Sequence, residues 1–63
     1  MNIKETKHFN GDEYTVINYG RDYFSRTLAY GILRNGNAVD PKSLSQEVND
    51  WIDSIVAIWK LID

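Results

Sequence analysis

The sequence predicts a small α+β domain in a single unit spanning residues 1–63: an N-terminal β-hairpin, a short helix and a long amphipathic C-terminal helix. Three observations predict it. Asn10-Gly11 separates two runs rich in strand-forming residues, and "DWIDSIVAIWKLID" closes the chain on a stripe of helical period. Between them, residues 23–34 put most of their apolar side chains on one arc of a helix.

The hairpin is expected over residues 2–9 and 13–19. "EYTVINY" is dense in β-branched and aromatic types, which suit a half-buried pleated surface. Asn-Gly tolerates the positive φ angles of a tight turn, so it joins such strands directly. Phe9, Tyr14 and Val16 are the expected inward residues.

Residues 23–34, "YFSRTLAYGILR", read in two ways. As a helix, Phe24, Leu28, Ala29, Ile32 and Leu33 share one arc, and Arg26, Tyr30, Tyr23, Arg34 and Thr27 the other. Asp22 serves as N-cap and Asn35-Gly36 as a left-handed stop. Twelve residues is long for a strand in so small a sheet, and this favours the helix. The rival is a β-β-β-α order with residues 23–39 as strands, turning at Asn35-Gly36.

The last element is expected over residues 41–62. Asp40-Pro41 has the form of an N-cap and first helical residue, with Ser43 or Ser45 as caps for a later start. Leu44, Val48, Trp51, Ile52, Ile55, Val56, Ile58, Trp59 and Ile62 lie on one side, and Leu61 is an apolar exception on the polar side. A helix of that extent would be roughly 33 Å long, more than one hairpin and a short helix cover. The surplus implies a partner for the stripe, and self-association as a homodimer through Trp51, Ile58 and Leu61 is the expected outcome.

Composition narrows the function. A chain of 63 residues lies near the lower limit for folding alone, and with no cysteine it has neither disulfides nor a thiolate zinc site. The net charge of −2 is not that of a general DNA binder. No apolar run approaches the roughly 20 residues of a membrane span, and the acidic polar face of the last helix disfavours anionic lipid. The N-terminal stretch has no apolar h-region, so a cytoplasmic location is expected.

Catalytic chemistry finds no support. His8 is the one histidine, with no serine close in sequence, and an exposed strand residue describes it best. Asp12-Glu13 flanks a turn, and Asp50 and Asp53 lie on a solvated helix face. "NGNAVD" has oxygen ligands without the alternation or the closing glutamate of a calcium loop. We therefore expect no enzyme, no catalytic residue, no cofactor and no metal.

Two surfaces remain. One gathers Arg21, Tyr23, Arg26, Tyr30 and Arg34, with Tyr19 beside them, types enriched where partners bind. The other is the edge of the tryptophan stripe, although each tryptophan taken singly fits a core. In its brevity, absence of cysteine and hairpin-plus-helix plan, the chain resembles small phage or mobile-element accessory proteins, and no motif defines a family. That resemblance implies a non-enzymatic module binding a protein partner, an inhibitor that occludes a host protein in the host cytoplasm. The alternative is a nucleic-acid-associated accessory protein with Arg21, Arg26 and Arg34 on phosphates.

Overall fold

The computed structural model describes residues 3–62. Strands β1 (Ile3–Phe9), β2 (Asp12–Arg21), β3 (Leu28–Arg34) and β4 (Asn37–Ala38) form one antiparallel sheet in chain order. A 3-10 turn at Pro41–Ser43 then leads to a single helix, α1 (Gln46–Ile62), packed on one face of the sheet. The α+β class, the N-terminal hairpin and the C-terminal helix are as the sequence predicts.

The first hairpin turns where Asn10-Gly11 places it. Both residues have positive φ, 51° and 85°, the mirror-image turn whose twist matches that of the strands. The register runs from Phe9 opposite Asp12 to Ile3 opposite Asn18. Phe9, Tyr14 and Val16 all face inward and are buried. Asn35-Gly36 repeats the device between β3 and β4, with φ of 51° and 85°.

That second turn accounts for the main correction. Residues 23–34 are not a helix: residues 23–25 form a turn and Leu28–Arg34 a strand paired along β2. Leu28 and Ile32 enter the core, as either reading requires, but Phe24 is 91 % exposed rather than buried. In a helix interior Gly31 would cost about 1 kcal/mol relative to alanine. In the strand it makes room for a neighbour, because a Cβ there would sit 3.0 Å from the Tyr19 ring.

The C-terminal helix also starts later than Pro41. Asp40 caps the 3-10 turn, its carboxylate accepting from the Lys42 N–H at 3.0 Å. Leu44 is extended, and Ser45 begins α1, its Oγ accepting from the Val48 N–H at 3.4 Å. The 17 residues of α1 span roughly 25 Å, against roughly 23 Å for a strand of seven residues such as β1 or β3. β3 supplies cover that a two-stranded hairpin lacks, so Val48, Ile52, Val56 and Trp59 are buried, whereas Ile58 remains exposed.

The core is one cluster: Phe9, Tyr14, Val16, Leu28 and Ile32 from the sheet, with Val48, Ile52, Val56 and Trp59 from α1. Val16 and Val48, at 0 % and 1 % exposure, are its most buried side chains. Trp51 is half-buried, its ring 5.7 Å from that of Phe9.

Gly11→Val and Gly36→Val each force a β-branched residue to positive φ, with no neighbouring atom within 4 Å of the added Cβ. Backbone strain alone, about 1–3 kcal/mol, sets the effect, and each variant is expected to melt several degrees below the parent. Trp59→Ala removes a large core side chain and is expected to cost about 3–5 kcal/mol, read from urea unfolding.

Candidate functional site

The connection between β2 and β3 presents the most exposed aromatic residues of the described chain. It begins at a β-bulge between Asn18 and Gly20, where Gly20 has a φ of 96° and its N–H donates to Asn18 Oδ1 at 2.7 Å. The extra residue re-aims the strand, and Arg21 comes opposite Leu28 on the side of α1.

From there the loop is closed by its own polar groups. The Asp22 N–H donates to the Thr27 carbonyl at 2.9 Å, and the Arg26 N–H to the Asp22 carbonyl at 2.8 Å. The Asp22 carboxylate accepts from the Phe24 N–H at 3.3 Å and from Ser25 Oγ at 2.9 Å. This side chain-to-backbone turn is a local device, set by an acidic residue just before the bend. Arg26 takes a positive φ of 60°, which brings its carbonyl within 2.8 Å of Arg21 Nη1.

Arg21 is the anchor. Its Nη2 donates to the Lys60 carbonyl in the last turn of α1, at 3.2 Å. A cation there satisfies a carbonyl that the helix leaves without an intrahelical donor and opposes the negative end of the helix dipole. The same guanidinium thus ties the loop to the helix.

Held this way, Tyr23 and Phe24 are 87 % and 91 % exposed, their rings packed edge-on with centroids 5.3 Å apart. Leu61, next to Lys60, is 85 % exposed at the same end of the molecule. Tyr23 and Phe24 form an aromatic tip, and with Arg21, Asp22 and Arg26 they line a shallow concavity.

The five residues assigned to a partner surface are therefore not one patch. Arg21, Tyr23 and Arg26 come together in this loop. Tyr30 lies on β3 opposite Asn18 and is 42 % exposed. Arg34 pairs with Tyr14 at the other end of β3, about 20 Å along the strand from Leu28. Of the residues assigned to self-association, Trp51 is half-buried against the core, whereas Ile58 and Leu61 are exposed. Sequence reasoning missed Phe24 as a surface residue; the signal was the Asp22-x-x-Ser25 turn, which it read as a helix N-cap.

Arg34 belongs instead to a polar staple across the two tight turns. The Asn35 N–H donates to the Glu13 carbonyl at 2.7 Å, and the Glu13 N–H to Asn35 Oδ1 at 2.9 Å. Asp12 accepts from Asn35 Nδ2 and Arg34 Nη2, both at 3.0 Å. The Asn35 hydrogen bond, helped by the Arg34 charge against some desolvation, holds the Asp12 carboxyl below the ordinary aspartate range.

His8 lies 3.6 Å from Glu13 with its side chain 70 % exposed, as a strand residue in solvent. Among the described residues no group of three or more His, Cys, Asp or Glu side chains is placed to hold a metal ion. No helix of the described residues is long and apolar enough to cross a membrane. No family model, curated relative or solved structure matches the chain.

Asp12 gives a pH signature. A carboxyl that ionises more readily folded than unfolded contributes stability above the unfolded pKa, lost as pH falls through the folded one. Asp12→Asn is expected to melt below the parent at neutral pH, and the gap should close as pH falls below the ordinary aspartate range, about pH 4, in thermal scans.

Proposed function

We propose that the protein is a non-enzymatic protein-binding module that works by steric occlusion. Its contact surface is the aromatic tip formed by Tyr23 and Phe24. The observation that carries this reading is the near-complete exposure of two adjacent aromatic side chains on a loop closed by hydrogen bonds. Aromatic residues held in one backbone conformation bind at low entropic cost, and such residues dominate binding energy where a partner offers a pocket.

A convex tip of this kind suits a cleft in the partner. Arg26 and Asp22 at its margin would set orientation through rim contacts. The proposed role is that of an inhibitor of the phage or mobile-element kind, filling a functional cleft of a host protein in the host cytoplasm. It needs no bond-making step.

The test compares capture by immobilised parent, Tyr23→Ala/Phe24→Ala and Arg34→Ala from a host lysate, read by mass spectrometry. The double variant is expected to lose the partner while melting within about 0.5 kcal/mol of the parent, because exposed positions contribute little to stability. Arg34→Ala is expected to retain it. A partner held equally by all three proteins would refute the tip as the site. Capture that follows Arg26 and falls steeply with salt would instead indicate phosphate contacts.

A further inference from the structure

Among the described residues the outer edge of β1 is an unpaired seven-residue strand, Ile3–Phe9, with neither proline nor bulge to blunt it. Its hydrogen-bonding groups can be assigned. The Glu13 backbone bonds to Asn35 on the β3 side, so its neighbours Asp12 and Tyr14 turn toward β1. Their ladder partners Phe9 and Lys7, and by alternation Glu5 and Ile3, turn toward β2. The N–H and C=O groups of Lys4, Thr6 and His8 therefore point outward from the sheet.

We propose that this edge binds a second copy of the chain, antiparallel, about a two-fold axis through Thr6. The strand is self-complementary in that register. Thr6 of one copy meets Thr6 of the other, Lys4 meets His8, Glu5 meets Lys7 and Ile3 meets Phe9. Thr6, Lys4 and His8 are the residues whose backbone groups face outward, so each of these pairs exchanges two ladder hydrogen bonds. Glu5 opposite Lys7 occurs twice by symmetry, and cross-strand opposite charges attract.

Neighbouring registers fail on the same ground. A shift of the axis by one residue sets Glu5 against Glu5, or Lys7 against Lys7, across a non-hydrogen-bonded pair where side chains are closest. Lysines on an edge normally deter pairing. Here the two-fold gives each lysine Glu5 or His8 as its partner and never another lysine.

The contact also covers apolar and polar residues otherwise left at the edge. Ile3, 47 % exposed, comes beside Phe9 and the Lys7 side chain. On the open face the Thr6 hydroxyl, 3.2 Å from that of Thr15, extends into a row across the axis. Both helices lie on one face of a continuous eight-stranded sheet, four strands from each copy. The aromatic tip takes no part, so this pairing stands or falls apart from the proposed function.

Sedimentation equilibrium over a wide concentration range is the test, with the parent expected to show a monomer–dimer equilibrium. Glu5→Lys, at an exposed edge position, is expected to weaken association about tenfold or more. Glu5→Lys/Lys7→Glu restores opposite charges across the axis and is expected to recover it. In the unmodified chain, amide exchange at Thr6 should slow as concentration rises. A monomer at every concentration overturns the proposal, as does a dimer whose Thr6 amide stays unprotected. A dimer insensitive to Glu5→Lys but broken by Ile58→Glu also overturns it and places the contact on α1.

Discussion

The packing of one helix against one sheet face is the constraint on which the rest of this protein depends. A domain of this size hides little of its surface, and without cysteine it has no covalent reinforcement. Val48, Ile52, Val56 and Trp59 recur at three- and four-residue intervals, and β2 and β3 present Tyr14, Val16, Leu28 and Ile32 to meet them. Val16 and Val48 are the most deeply buried side chains of this core. Neither layer could persist alone, because an isolated hairpin and an isolated helix of this length are both marginal in water.

Register follows from the two tight turns. Each Asn-Gly pair joins its own strands without slack, β1 to β2 and β3 to β4, and the Glu13–Asn35 bonds set β2 against β3, so valine, tyrosine and isoleucine face the helix. A slip of one residue would move that set to the open face. The staple of Asp12, Glu13, Arg34 and Asn35 links the turns side by side. The tight-turn end of the sheet is thereby polar and closed.

At the opposite end the longer β2–β3 connection has a different character. A bulge, a capped bend and an arginine bound to the helix terminus hold a backbone that does nothing to bury its two aromatic rings. A chain with so little apolar material gains nothing in stability by leaving Tyr23 and Phe24 in water. An ordered loop with an exposed aromatic pair is what an interface requires, and this contrast gives the proposed function its physical content.

The first hairpin was legible because its signal is local: Asn10-Gly11 favours the positive φ angles it adopts here, and the flanking runs alternate. The C-terminal helix was legible because its period repeats over more than four turns. The middle segment was not, because Phe24, Leu28 and Ile32 are spaced by four. That interval is one face of a helix and equally one face of a strand, since four is both close to 3.6 and even. The choice fell to tertiary structure, where β2 offered an unpaired edge, Asn35-Gly36 turned β3 onto β4, and α1 needed a third strand beneath it. For the same reason the candidate site was half legible. Arg21, Tyr23 and Arg26 stand out by residue type, yet their convergence, the exposure of Phe24 and the separation of Arg34 depend on how the loop closes. Local conformational preference is written into adjacent residues, whereas which surfaces meet water is decided only when the layers pack.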